Sequence, residues 1–335
     1  MRKKFKEKYI IIESDDWGLI PSISSDGINY LGKKYGKANF SRWTTDSIET
    51  PEDLILLYEL LGKYENKFES PPVLTTNFIT HNIDYNYKKE VVVKGLDNYL
   101  KKHKKLKNLY IEGIMKKYIS PQLHGYAHYD LKKLNRYFKS NEGEHLFNAG
   151  FLTGKSTLKN VKDNFRGELI DLKDETLDQI KLAVKEFFNI FGFYSESIIP
   201  PYFEINLEIL DVLKDNHIIA IQASNRLINS YYQRVKRIYF RKQNGLYWIP
   251  RNARLDPHPD YGYYVDNCLK DIKYAFDCKM PAVIDFHRVN ISGRYNPSYR
   301  KKTLNELKEV FEGIKNNWPE AKFISTQDLI KLCQI

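Results

Sequence analysis

A chain of 335 residues is long for one sandwich or Rossmann unit and ordinary for a β/α barrel of roughly 250 residues plus insertions, so one domain over 1–335 is the expectation. Hydrophobic residues at 42% and aromatics at 14%, with 25 Tyr and 18 Phe, exclude wholesale disorder and supply both a core and ring surfaces for stacking. The net charge of +11 suits an anionic partner as readily as a solvated basic surface, but the densest run, Lys101-Lys102-His103-Lys104-Lys105, has no interleaved aromatics, so nucleic acid is not expected.

The basic stretch 1–8 is followed by only four apolar residues, 9–12, too few for a signal segment or a membrane span. Cys268, Cys278 and Cys333 lie far apart and form no Cys-x-x-Cys pair, which reads as thiols in a reducing compartment. A cytoplasmic protein without a transmembrane segment is expected. Its oligomeric state is not legible.

Residues 9–12 predict a short buried strand that empties into a polar loop at Glu13-Ser14-Asp15-Asp16-Trp17-Gly18. A helix follows over 50–63, then strands over 72–78 and 118–123, a helix over 173–191 and a strand over 197–199. After them come a helix over 206–215, strands over 218–222 and 246–249, a helix over 266–276, a strand over 282–286, a helix over 297–316 and a strand over 322–325. Strands apolar on both faces that alternate with amphipathic helices indicate a mainly parallel sheet covered by helices, and about eight of them favour a barrel. Segments at about 81–117 and 129–172 break the rhythm and read as insertions around one rim.

Three strand ends carry chemistry. Asp15 and Asp16 are adjacent carboxylates that repel one another, so a bound cation or separate roles would stabilise them, although such pairs also occur in solvated turns. His124 and His128, in His124-Gly125-Tyr126-Ala127-His128, are four residues apart. On one helical turn that spacing puts both rings on one face, able to share a metal with a carboxylate from elsewhere. His287 ends the run Val283-Ile284-Asp285-Phe286-His287 and should face the same rim. A lone strand-end His is more often structural, so the convergence of three motifs is what singles it out. Ile199-Pro200-Pro201-Tyr202 suits a rigid pocket wall or a plain loop.

In this order the motifs resemble those of the polysaccharide deacetylase (NodB-homology, carbohydrate esterase family 4-like) family, over nearly the whole chain from Asp15 to His287, with Phe323-Ile324-Ser325-Thr326 in character at the end. The resemblance implies a distorted (β/α) barrel of that type with about seven to eight mainly parallel strands. It also implies a hydrolase that removes an N- or O-acyl (acetyl) group from a carbohydrate. Asp15 is then the general base, His287 the general acid, and Asp16, His124 and His128 the ligands of one divalent metal, usually zinc, sometimes cobalt, nickel or iron.

Ile199 stands where the family loop usually begins with the Arg that orients the base. Arg251 or Arg254 is the candidate replacement, and with Trp17, Pro201 and Tyr202 these make up the expected substrate-binding residues. The basic balance hints at a nucleotide- or diphosphate-linked sugar. The alternatives are hydrolysis of another C–N bond, in a non-sugar amide, or an inactive carbohydrate-binding barrel.

Overall fold

Ten strands share one sheet in a computed structural model that describes residues 4–87, 90–152, 158, 165–170, 174–224, 226–227, 236–237 and 240–334. They are β1 (Tyr9–Trp17), β2 (Leu74–Ile79), β3 (Ile119–Gly125), β4 (Ser197–Ile198), β5 (Ala220–Ala223), β6 (Arg241–Gln243), β7 (Leu246–Pro250), β8 (Ala253–Arg254), β9 (Ala282–His287) and β10 (Lys322–Phe323). Their order is β6-β7-β5-β4-β3-β2-β1-β9-β8, with β10 on the start of β1. Every pairing is parallel except β6 with β7.

β7 and β8 lie near opposite ends of this path, yet only Arg251 and Asn252 separate them in sequence. The Arg251 amide donates to Ala223 O of β5 (2.7 Å) and the next amide, of Asn252, donates to Val283 O of β9 (3.0 Å). One strand therefore changes neighbours within two residues, and the sheet curls into a distorted α/β barrel with its seam at Arg251.

Helices cover the outside. Pro51–Gly62 begins at a reciprocal capping box between Thr50 and Asp53, with Pro at the first position, where its missing N–H costs nothing. The helices at Asp174–Phe191, Val265–Asp277 and Pro297–Asn317 match their expected spans to within two residues. The one expected over 206–215 opens as a 3-10 turn, Leu207–Ile209, before the α-helix Leu210–Asp215. The segment over 81–117 holds a hairpin, His81–Ile83 with Val93–Gly95, and the helices Leu96–Lys102 and Lys104–Met115, the last of which packs on β3. The segment over 129–172 contributes Leu131–Phe138 and Asn141–Asn148, and much of its remainder lies outside the described residues. Among the described residues no helix is long and apolar enough to cross a membrane.

The barrel interior is layered. At the bottom, Ile11, Ala220, Ile249 and Val283 meet Leu329 and Ile330 of the helix Thr326–Gln334, which plugs that end. Above them the inner face is polar, which the expected all-apolar strands did not foresee. The Asn77 and Gln222 side chains exchange hydrogen bonds, Gln222 donates to Ser197, and the Gln122 carbonyl accepts from Ser195 and Ser197. All the side-chain dipoles named here are paired except Gln122 Nε2, and the long-range pairs fix register. The same logic extends β1 beyond residue 12. Glu13 points inward to Arg251 Nε (2.8 Å) and Thr326 Oγ1 (2.8 Å), so the strand continues through the acidic pair instead of ending before it.

Candidate functional site

The strand ends open into a cleft of about 430 Å³ whose walls include Asp15, Asp16, His124, His128 and His287. Adjacent strand residues ordinarily point to opposite faces. Here the pairing of β1 with β2 slips between Ser14 and Trp17, and Asp16 has φ +67°, so both carboxylates reach the same cleft.

His124, near the end of β3, sets its Nδ1 2.8 Å from Ile199 O, so that Nδ1 donates to this carbonyl and Nε2 is the nitrogen turned toward Asp16. His128 does not share a helical turn with it. Gly125 has φ +131° and His128 φ +72°, and the amides of Tyr126 and Ala127 donate to the Glu168 carboxylate (2.7 and 2.9 Å) rather than to helical carbonyls. This irregular loop still brings His128 Nε2 to 3.2 Å from Asp16 Oδ1, with His124 Nε2 at 3.3 Å.

Two donors about 2.1 Å from a tetrahedral zinc lie about 3.4 Å apart. Asp16 Oδ1 is buried without a hydrogen-bond partner, and the ligand atoms of the three residues lie within 4.8 Å of one another. The set fits a divalent cation with positions left open. Burial acts to raise the pKa of Asp16, yet the two imidazoles hold it well below the usual carboxylate range.

Asp15 is gripped by Arg251, whose Nη2 reaches Oδ1 (2.6 Å) and Nη1 reaches Oδ2 (2.8 Å), and Asn77 donates to Oδ1 (2.8 Å). The same guanidinium touches Glu13 and Asp285, so Arg251 is a buried hub without a free edge for substrate. It stands against the base that Ile199, three strands away, cannot reach. Burial works to raise the pKa of Asp15, and Arg251, His124 and His287 outweigh it, keeping the carboxyl below its ordinary value. Across the cleft His287 Nε2 is 4.0 Å from Asp15 Oδ2, and its Nδ1 is 3.5 Å from Asp256 Oδ1. Burial disfavours the imidazolium, but Asp256 overcomes it and raises the pKa of His287.

Two expected contacts lie elsewhere. Trp17 is buried against Phe78 and donates its indole N–H to Ser14 Oγ (2.8 Å), away from the cleft. Pro201 is buried behind the wall formed by Pro200, Tyr202 and Phe203. Tyr202, at φ +58°, and Arg254 do face the cleft.

Sequence reasoning missed Asp256, which binds Arg42 and Asn290 besides facing His287, and the neighbouring Trp43 and Tyr261, joined by a hydrogen bond of 3.0 Å. Asp256 follows β8 by two residues, a strand-end signal available in principle. Asp46, on the cleft wall, and Arg288, beneath it, give no sequence signal at all.

No family model matches this sequence, and no curated protein matches it. Among solved structures it is similar to the 4-alpha-glucanotransferase from Thermococcus litoralis, at TM-score 0.51 and 10% identity, over 97% of this chain and 40% of that one. The chain thus spans less than half the length of that protein, and the likeness is one of fold. CE4 deacetylase-type structures are also among those it resembles. One is a CE4 family pseudoenzyme from Bacillus anthracis, at TM-score 0.45 and 10% identity, over 98% of this chain and 67% of that one. Another is the peptidoglycan deacetylase PdaC from Bacillus subtilis, at TM-score 0.41 and 10% identity, over 98% and 93%.

Proposed function

We propose that this chain is a metal-dependent hydrolase that removes an N- or O-acyl group from a carbohydrate, with zinc as the metal. One observation carries the reading. A single cleft presents the unpartnered Asp16 oxygen and two imidazole Nε2 atoms on one side, and Asp15 and His287 on the other.

Asp16, His124 and His128 would hold the ion, which when bound supplies Lewis acidity to polarise the acyl carbonyl and acidify water at neutral pH. Asp15, kept ionised by Arg251, takes the proton of the attacking water at a carboxylate oxygen. His287, held protonated by Asp256, lies on the far side of Asp15 and delivers a proton to the leaving nitrogen or oxygen. Tyr202, Trp43 and Tyr261 offer ring faces and edges on the walls for a sugar.

The experiment is deacylation of acetylated sugars by metal-loaded wild type and Asp15→Asn, with metal content measured in both. Activity in wild type that falls about a thousandfold or more in D15N, with metal retained, is expected for a lost general base. Full activity in D15N would remove the reading. Turnover of non-sugar amides in place of acetylated sugars would transfer the same residues to another C–N bond.

A further inference from the structure

We infer that the cleft contains an oxyanion subsite built on Arg254, so that the acylated sugar carries a phosphate or carboxylate near the group that is cleaved. The sugar rests on the function proposed above; the anion rests on geometry alone.

Arg254 ends β8 on the cleft wall with its side chain 29% exposed. Its Nε donates to Asp256 Oδ2 (2.8 Å), its guanidinium carbon lies 4.4 Å over the Tyr263 ring, and the Tyr261 ring is 5.5 Å away. Anchored at Nε and stacked on one face, the group has a fixed plane. Among the described residues no partner takes Nη1 or Nη2.

On the opposite wall Arg166 also lines the cleft, with Nε 3.2 Å from Glu204 Oε1 and its guanidinium carbon 4.4 Å over the Tyr202 ring, while the arginines nearer Asp15 and His287 direct Nη atoms to protein carboxylates. Arg42 uses Nη1 on Asp256, Arg251 uses both Nη atoms on Asp15, and Arg288 uses Nη2 on Asp46. Of the four arginines on the Asp15 and His287 side, Arg254 is the one that turns an open, oriented edge to the cleft beside the proton donor, whereas Arg166 stands on the Tyr202 wall. A planar pair of N–H donors held in place matches two oxygens of a phosphate or carboxylate. Asp256 and Asp285, whose Oδ2 is 3.6 Å from Arg254 Nε, do not cancel it, because Asp256 is shared with Arg42, Asn290 and His287 and Asp285 with Arg251.

The position fixes which part of the substrate bears the charge. Arg254 and His287 flank the two oxygens of one carboxylate, Nε on Oδ2 and Nδ1 at 3.5 Å from Oδ1. The oxyanion is therefore beside the proton donor for the leaving group and belongs to the sugar, not to the acyl group. An anionic sugar such as a sugar phosphate or a uronic acid derivative is the class this arrangement takes.

The test requires neither metal nor turnover, so it stands or falls apart from the hydrolase reading. Metal-free protein is titrated with glucose 1-phosphate, glucuronate and glucose by ligand-observed NMR. Wild type is expected to bind an anionic probe at least about tenfold tighter than glucose, the scale of one charge-assisted bidentate contact. The better of the two anionic probes identifies the oxyanion. Arg254→Gln should abolish the preference and Arg254→Lys retain only part of it, since Lys has no planar fork. If R254Q does not fold, Tyr263→Leu replaces it, and loss of the preference there supports the subsite. Equal binding of the three probes, binding of none, or a preference undiminished in folded R254Q or Y263L overturns the inference.

Discussion

Arg288 Nε donates to the main-chain carbonyl of Asp16 at 2.7 Å. The guanidinium is wholly buried, with Nη2 on Asp46 (2.8 Å) and Nε 3.5 Å from Glu49, while Glu49 accepts from the Gly18 amide (3.1 Å). The turn from Asp16 to Gly18 is thus held from below at both ends, each in the left-handed region. Gly18 has no alternative there, because a Cβ would lie 2.6 Å from Leu96 Cδ2 and 2.9 Å from Ile79 O. Arg288→Lys keeps the buried charge but loses the fork that reaches both carbonyl and carboxylate. Zinc affinity is expected to fall about 10- to 100-fold, as when a group supporting a metal ligand is removed. Competition with a chromophoric chelator measures this. Unchanged affinity in folded R288K would mean that the strand alone orients Asp16.

The contact between His287 and Asp256 predicts a pH dependence. A histidine whose folded pKa is raised contributes stability that is complete below its unfolded value of about 6.5 and disappears as pH rises through the folded pKa. Asp256→Asn should therefore cost more stability at about pH 5.5 than at about pH 8.5, beyond the constant cost of stranding Arg42. The midpoint of the His287 ring-proton titration should fall in the variant, and with it the alkaline limb of activity. Denaturant unfolding at the two pH values, with NMR titration, decides this. A pH-independent difference between wild type and D256N would sink the pairing.

The outer architecture was legible because it depends on local pattern. Buried strands flanked by helices give apolar runs of the right length, and caps such as Thr50 to Asp53 mark a helix start. The barrel interior was less legible because its polar residues are satisfied at long range. Glu13 looked like the end of a strand until Arg251 and Thr326, far along the chain, came to meet it. The metal-type cluster was visible as residues but misread as geometry. Spacing of four suggested a helical turn, whereas Gly125 and Glu168 build an irregular loop with the same outcome for His124 and His128. Arg251 could be nominated only from its place after a strand. Its bidentate contact with Asp15 depends on the seam where β7 passes into β8.

Metal removal supplies a test independent of catalysis. A ligand that binds only the folded state stabilises it by RT ln(1 + [L]/Kd), about 2.7 kcal/mol at a hundredfold excess over Kd. For a chain of this size that corresponds to roughly 4 °C in Tm. Zinc should therefore raise the melting temperature of chelator-treated wild type by about that amount, followed by circular dichroism, and should leave Asp16→Ala unmoved. An equal zinc shift in D16A would place the ion elsewhere.

Gly125 offers a way to disturb His128 without touching a ligand. Its φ of +131° disfavours any side chain, and an added Cβ would lie 2.4 Å from Glu168 Oε1, the oxygen that accepts from Tyr126. Gly125→Ala must shift either that carboxylate or the strand end, and the two amides it holds lead directly to His128. The expected cost is about 1–3 kcal/mol of stability, with a loss of zinc affinity at least as large as that of Glu168→Gln, which keeps the shape and removes the charge. Unfolding and metal titration of both variants test the linkage. If G125A lowers stability but binds zinc like wild type, the loop from Gly125 to His128 is a packing element, and His128 is positioned by its contacts with Tyr129 and Tyr202 instead.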